Sequence, residues 1–445
     1  MNHSSHDTAP NELRRELTLL DSTMVNVGTM IGSGIFLVPA TIALYLNSSG
    51  LILLVWVFGG IVSLLGALSI AELGAAMPRA GGIYVYLREA YGPIWGFLYG
   101  WTAFAVTNTA SIAAIAVGFA TYLGYFVPLD ATSTTVVAVV SIVGLTALNC
   151  LGLKLGAWIQ NIFTISKLGA FVALLVCSLI LPGGSTGNFL PFLPTEPFTN
   201  MFGAFGLALV AVLWSYDGWI EVTFVAGEVQ NPARNVPRSI IYSTAIVILV
   251  YAAVNVVYLY ILSPQTMAAS TLVASDAATV LMGSLGAGVI AAAVMTSTLG
   301  TNNGIVFTAA RIPYAMAREG EFFASLGAVH PKFRTPHIAL IVQGIWACLL
   351  TLTGTYNQLI TYIIFASFVF YGLAAGAVVV LRKKQPTMDR PYKTWGYPIT
   401  PLLFVAFAAW LVINTIIEAP RDALIGAGIM LLGLPTYFSL KRRKA

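Results

Sequence analysis

Apolar runs separated by short polar stretches repeat along the chain from residue 20 almost to its end. Each is about 20 residues long or more, the length a helix needs to cross a ~30 Å hydrocarbon layer. Twelve are legible: 20–46, 50–76, 93–124, 133–151, 158–181, 200–226, 239–263, 285–312, 337–354, 358–381, 399–417 and 423–440. Backbone polar groups in lipid must be satisfied internally, so the pattern predicts an all-α integral membrane protein of twelve transmembrane helices.

Two of the runs do not read as regular helices. The first contains Gly28-Thr29-Met30-Ile31-Gly32-Ser33-Gly34, followed by Pro39. Glycine costs a helix interior about 1 kcal/mol each, so three within seven residues mark a break. The sixth contains Leu213-Trp214-Ser215-Tyr216-Asp217-Gly218-Trp219, where Ser, Asp and Gly all disfavour helix. Either motif alone also suits a small-residue contact between helices. Their positions, five spans apart, favour breaks, because interrupted helices at corresponding places mark the binding site of a transporter built from inverted repeats. A break frees backbone groups. The start of the second half of span one, at Ser33 and Gly34, would offer amides to a carboxylate. Freed carbonyls of Met30, Trp214 and Asp217 would accept an ammonium. Together they suit an α-amino acid.

Composition narrows the class. Of 445 residues 58% are hydrophobic and 9% charged, with a mean hydropathy of +0.84. Soluble proteins carry roughly 45–50% apolar and about 25% charged residues, so a soluble enzyme, a disordered chain and a conventional nucleic-acid binder are excluded. The net charge of +5 reflects sidedness. Of the 22 lysines and arginines, all but Arg421 and Lys167 fall in the tails and alternate loops of one side. Asp130, Glu196, Asp276, Glu418 and Asp422 fall on the other. By the positive-inside rule both termini are cytoplasmic, in a plasma membrane. The expected organisation is a tail at 1–19, a ten-helix core at 20–381, a cytoplasmic loop at 382–398, helices eleven and twelve at 399–440, and a tail at 441–445. The core holds repeats at about 20–181 and 200–381. The N-terminal segment shows no cleavage-site pattern.

Cys150, Cys177 and Cys348 lie in or beside apolar runs and form no CxxC. His3, His6, His330 and His337 lie in polar stretches, which leaves no intramembrane pair for zinc or haem. No cofactor or metal is expected. With no GxxxxGK[ST] the chain is not an ATP-driven pump, and it lacks the constellations of a channel filter or an enzyme.

Four charges in apolar runs stand out as candidates, since insertion at mid-bilayer depth costs about 2.5–3.5 kcal/mol each. Glu72, near the end of span two, reads as a helix-end carboxylate reaching the interface. Lys167 lies too deep to snorkel. It reads as part of an ion site, or as a lysine reaching an internal water cavity. Its ammonium would bridge carbonyls of span one and polar groups of span eight such as Ser297. Asp217 and Glu221 would repel each other on a regular helix, which again argues for a break.

Four segments resemble the amino acid–polyamine–organocation superfamily, and within it the L-amino-acid transporter group that includes bacterial serine/threonine exchangers. They are Gly28–Phe36; Ala71-Glu72-Leu73 through Pro78, Gly81-Gly82, Tyr84 and Tyr86 to Tyr91-Gly92-Pro93; Ser215–Trp219; and Glu228-Val229-Gln230-Asn231-Pro232 with Arg234 and Pro237. The resemblance implies a LeuT-type 5+5 inverted repeat with spans one and six broken. It implies carboxylate binding at Ser33 and Gly34, and amine binding on carbonyls matching Met30, Trp214 and Asp217. Gly32, Ser215 and Tyr216 share these motifs, and Trp214 stands where the family keeps an aromatic gate. Lys167 matches a lysine that takes the place of sodium, which implies sodium-independent transport. Asn108 is similar to a substrate-contacting residue of span three, or is an interhelical Asn. The implied function is exchange of neutral L-amino acids. Trp214 with Asp217 leaves open a cationic, arginine/agmatine-like antiporter, and the buried lysine leaves open proton-coupled symport. A partner glycoprotein, needed by animal relatives, is not demanded here, because no cysteine sits in an outside loop to tether one.

Overall fold

The computed structural model describes residues 13–194, 198–352 and 356–442. Ten helices among them are long and apolar enough to cross a membrane. Two shorter apolar helices, Phe202–Tyr216 and His337–Leu350, stand where spans six and nine were expected. Glu196 and the outermost tail residues, 1–12 and 443–445, lie outside the described residues.

Helix ends depart from the hydropathy pattern on the basic side. Spans five and seven begin at Leu153 and Pro232, not at 158 and 239. The extra turns carry Lys154, Arg234 and Arg238, whose long side chains let a helix continue beyond the apolar layer. Span one begins at Leu19 with a capping box: the Thr18 hydroxyl accepts from the Asp21 N–H at 3.2 Å, and the Asp21 carboxylate accepts from the Thr18 N–H at 2.9 Å. The segment before it is pinned. The Glu16 and Leu17 amides both donate to the Glu228 carbonyl at 2.9 Å, and the Gln230 amide donates to the Leu17 carbonyl at 2.8 Å.

Each of spans one to four packs against the span five places later. The second half of span one (Gly34–Leu46) meets span six, and span two (Ser49–Ala76) meets span seven (Pro232–Ile261). Span three meets span eight, and span four (Ala131–Cys150) meets span nine. This is the packing of an inverted 5+5 repeat, whose pseudo-twofold axis brings counterparts face to face. Spans eleven (Ile399–Glu418) and twelve (from Pro420) are appended, with span eleven against span ten.

Span three is not the continuous α-helix expected. It runs Pro93–Thr102, then one π-helical segment, Ala103–Thr107, then Asn108–Leu123. Such inserts rotate the downstream face and recur at functional sites.

Glu72, near the end of span two, is not open to solvent. It is 1% exposed. Arg382 donates to it at 2.8 and 2.6 Å, the Thr394 amide donates at 2.7 Å, and Arg390 lies 3.4 Å away. The loop after span ten folds back over the end of span two and covers the carboxylate. Arg382 also lies 3.7 Å over the Tyr397 ring.

Candidate functional site

The two breaks lie against each other at the centre of the bundle. Span one ends its first half at Met30 and resumes at Gly34. Span six ends its long half at Tyr216, turns through Asp217–Ile220 and resumes as the single turn Glu221–Phe224. The glycines are needed for close approach. A Cβ on Gly28 would lie 2.1 Å from Gln160 of span five, on Gly32 2.9 Å from Thr301 of span eight, and on Gly34 2.4 Å from Ser215. Gly218 has φ +119°, and a Cβ there would lie 2.9 Å from the Met30 nitrogen.

Breaking a helix strands its terminal carbonyls and amides, and side chains from four other places satisfy them. The Lys167 ammonium donates to the carbonyls of Gly28 at 2.8 Å and Ile31 at 2.6 Å, at the negative end of the first half-helix. It also reaches the Ser297 carbonyl and the Thr301 hydroxyl, both at 3.1 Å. The expected partner Ser297 is thus engaged through its backbone, while its hydroxyl donates to the Ile31 carbonyl at 3.0 Å. The Tyr251 hydroxyl lies 2.7 Å from the Met30 carbonyl and 2.8 Å from that of Ser215, and its single proton serves one at a time. The Asn26 side chain donates to the Trp219 carbonyl at 2.8 Å and accepts from the Val222 amide at 2.8 Å, closing both edges of the span-six turn.

Asn26→Ala leaves a buried carbonyl and a buried amide unpaired, at about 1–3 kcal/mol each. The expected result is a destabilisation of about 2–3 kcal/mol, seen as a lower midpoint in thermal unfolding of the detergent-purified protein. An unchanged midpoint would remove Asn26 from this role.

Between the breaks lies a cavity of about 30 Å³, space for about one water. Of the sequence-predicted residues, Met30, Gly32, Ser33, Gly34, Asn108, Trp214 and Asp217 line it. Asn108 is the first residue after the π segment. Ser215 and Tyr216 stand behind the wall: Tyr216 donates to the Trp56 carbonyl at 3.2 Å and packs on Tyr251. Lys167 and Ser297 lie beyond the break, outside the lining.

The cavity also has walls that sequence reasoning did not assign: Thr29, Ser111, Gly218, Glu221 and Thr301. Its two carboxylates are both engaged. Asp217 accepts from the Tyr371 hydroxyl at 2.8 Å and from the Gly218 amide at 3.1 Å, and Glu221 accepts from the Thr308 hydroxyl. One helical turn further on, Arg311 donates to both oxygens of Glu228 at 3.0 Å, with both residues fully buried. The charge pattern had placed Arg311 among the surface cations. Its position inside an apolar run was the signal that separates it from them.

A family model described as amino acid permease matches residues 17–438. The chain belongs to that family. This permease is 34% identical over 441 residues to the serine/threonine exchanger SteT of Bacillus subtilis (strain 168), covering 98% of this chain and 99% of that protein. It is 34% identical over 449 residues to the b(0,+)-type amino acid transporter 1 of Rattus norvegicus, covering 98% and 90%. It is 33% identical over 436 residues to the large neutral amino acids transporter small subunit 2 of Homo sapiens, covering 96% and 80%. It is a multi-pass membrane transporter of amino acids, not an enzyme.

Proposed function

We propose that this permease exchanges neutral L-amino acids across the plasma membrane by alternating access, without sodium, with both termini cytoplasmic. The carrying observation is the cavity between the breaks. Ser33 and Gly34, at a helix start, line it from span one, and Trp214 and Asp217 line it from span six. The ten-helix core 20–381, with repeats 20–181 and 200–381, is the transport unit, and 399–440 is appended to it. A neutral substrate is favoured because Asp217 and Glu221 are steadied by the Tyr371 and Thr308 hydroxyls without a bound cation. The similarity to a serine/threonine exchanger points the same way.

An amino acid needs more room than one water, so this conformation is closed around the site. A cleft of about 1,060 Å³ opens at the basic end, lined by Arg14, Arg79, Tyr84, Tyr314 and Glu319 among others. Two ties, Glu221–Thr308 and Glu228–Arg311, join the short half of span six and the turn after it to the end of span eight. Their parting opens the site to the cytoplasm.

The test is uptake into proteoliposomes for twenty amino acids, with and without amino acid preloaded inside. Serine, threonine or other neutral amino acids should compete best, and preloading should accelerate uptake. Strongest competition by arginine would establish the cationic alternative, and indifference to preloading would remove exchange. In the same assay Trp214→Ala should weaken all substrates by about tenfold through loss of the apolar lid, whereas Trp214→Phe should stay within about threefold. If only tryptophan supports transport, the ring does more than seal.

A further inference from the structure

We propose that the start of span seven is a binding site for the headgroup of an anionic phospholipid. The helix beginning at Pro232 carries Arg234 and Arg238 one turn apart in its first two turns, with no acidic residue in the first turn and no side-chain cap from Asn231. Neither guanidinium makes an ion pair or hydrogen bond with any described residue, and both are exposed. Three unfavourable features coincide there. Cations sit at the positive end of a helix dipole. Like charges sit four residues apart. The helix lacks a capping side chain. One bound phosphate between the two arginines relieves the first two, while the Arg234 and Asn235 amides already donate to the Asn231 carbonyl, each at 3.0 Å.

The surroundings fit a lipid rather than a soluble anion. A cleft of about 540 Å³ runs from the two arginines along Tyr242, Tyr392 and Trp395. Tyr242 is 51% and Trp395 65% exposed, an arrangement of rings suited to the level where headgroups meet chains. On the polar side a second cleft of about 530 Å³ shares both arginines and adds Arg15. Arg15 is held nearby because its neighbours Glu16 and Leu17 are bonded to residues 228–230. Phosphate recognition therefore grades from three arginines into two exposed aromatic rings. Basic pockets beside membrane helices bind lipid headgroups in this manner.

The full-length protein, purified in detergent and examined by native mass spectrometry, is titrated with phosphatidylglycerol and separately with phosphatidylcholine. Phosphatidylglycerol should be retained in preference. An arginine near an anionic headgroup is worth about fivefold, so Arg238→Gln should weaken retention about fivefold and the Arg234→Gln/Arg238→Gln pair about 30-fold. Arg234→Lys/Arg238→Lys should retain most of the binding, and Lys441→Gln/Arg442→Gln at the far end of the chain should leave it unchanged. Equal retention of both lipids, or equal loss in the Lys441/Arg442 control, would overturn the site. Millimolar inorganic phosphate or glycerol 3-phosphate should not displace the lipid. If either does, the arginines serve a soluble phosphate and the lipid assignment falls.

Discussion

Lys167→Ala yields a folded, inserted protein that exchanges amino acids at least about tenfold more slowly than the parent, a loss equal to one charge-assisted hydrogen bond of 1.5 kcal/mol. The fold survives because the stranded carbonyls retain other donors. The Thr301 hydroxyl lies 2.9 Å from both the Gly28 and Ile31 carbonyls, and the Ser297 hydroxyl still reaches Ile31. What disappears is a positive charge that joins spans one, five and eight. In the proposed function that ammonium takes the place of a bound cation in fixing the angle between the broken helix and its scaffold. The parent should therefore transport equally with and without sodium. The measurement is uptake into liposomes with and without sodium, and with and without a pH gradient, for parent and variant. Sodium-stimulated transport in the parent, or unchanged turnover in the variant, would reduce Lys167 to a packing residue. Dependence of uptake on the pH gradient in the parent alone would make it a proton carrier instead.

Gly34→Val should be more severe, with transport reduced about 100-fold, as an overpacking strain near 3 kcal/mol implies. Added bulk on Gly34, which lines the cavity, crowds the site. The structure gives another cause. A Cβ on Gly34 would lie 2.4 Å from the Ser215 hydroxyl and 2.9 Å from the Ser215 Cα. Backbone must move, so the two broken helices are forced apart. Ser33→Ala is the matched control, since Ser33 makes no side-chain cap on the helix it precedes, and it should stay within about threefold of the parent. Parent-level exchange by Gly34→Val would show that the breaks need not touch.

The helical architecture was open to reading because lipid enforces it. A run of about 20 apolar residues has few alternatives to a membrane helix, and Gly28-x₃-Gly32-x-Gly34 and Asp217-Gly218 are conspicuous inside such runs. Lys167 was legible for the same reason, as a charge where charge is costly. The partners were less accessible. Tyr251 and Asn26 are single polar residues on long helices, and only the crossing of spans one, six and seven aims them at stranded backbone. The π segment of span three has no marker in Ala103–Thr107, a stretch that reads as ordinary helix. The cover over Glu72 was not legible because it comes from a loop more than 300 residues later, and hydropathy sees only neighbours. Arg311 was grouped with the surface cations because a charge count weighs every arginine alike.

The distance along the chain between partners bears on synthesis. Glu72 leaves the ribosome 310 residues before Arg382. Lys167 precedes Ser297 by 130 residues, and Glu228 precedes Arg311 by 83. Glu72 and Glu228 thus enter the bilayer well before the arginines that neutralise them are made, and Lys167 enters before its acceptors in span eight are made. Early spans must wait at the translocon, or be shielded by their neighbours, until the later half arrives. A nascent chain released before residue 382 carries an unmatched carboxylate, which distinguishes an unfinished permease from a finished one.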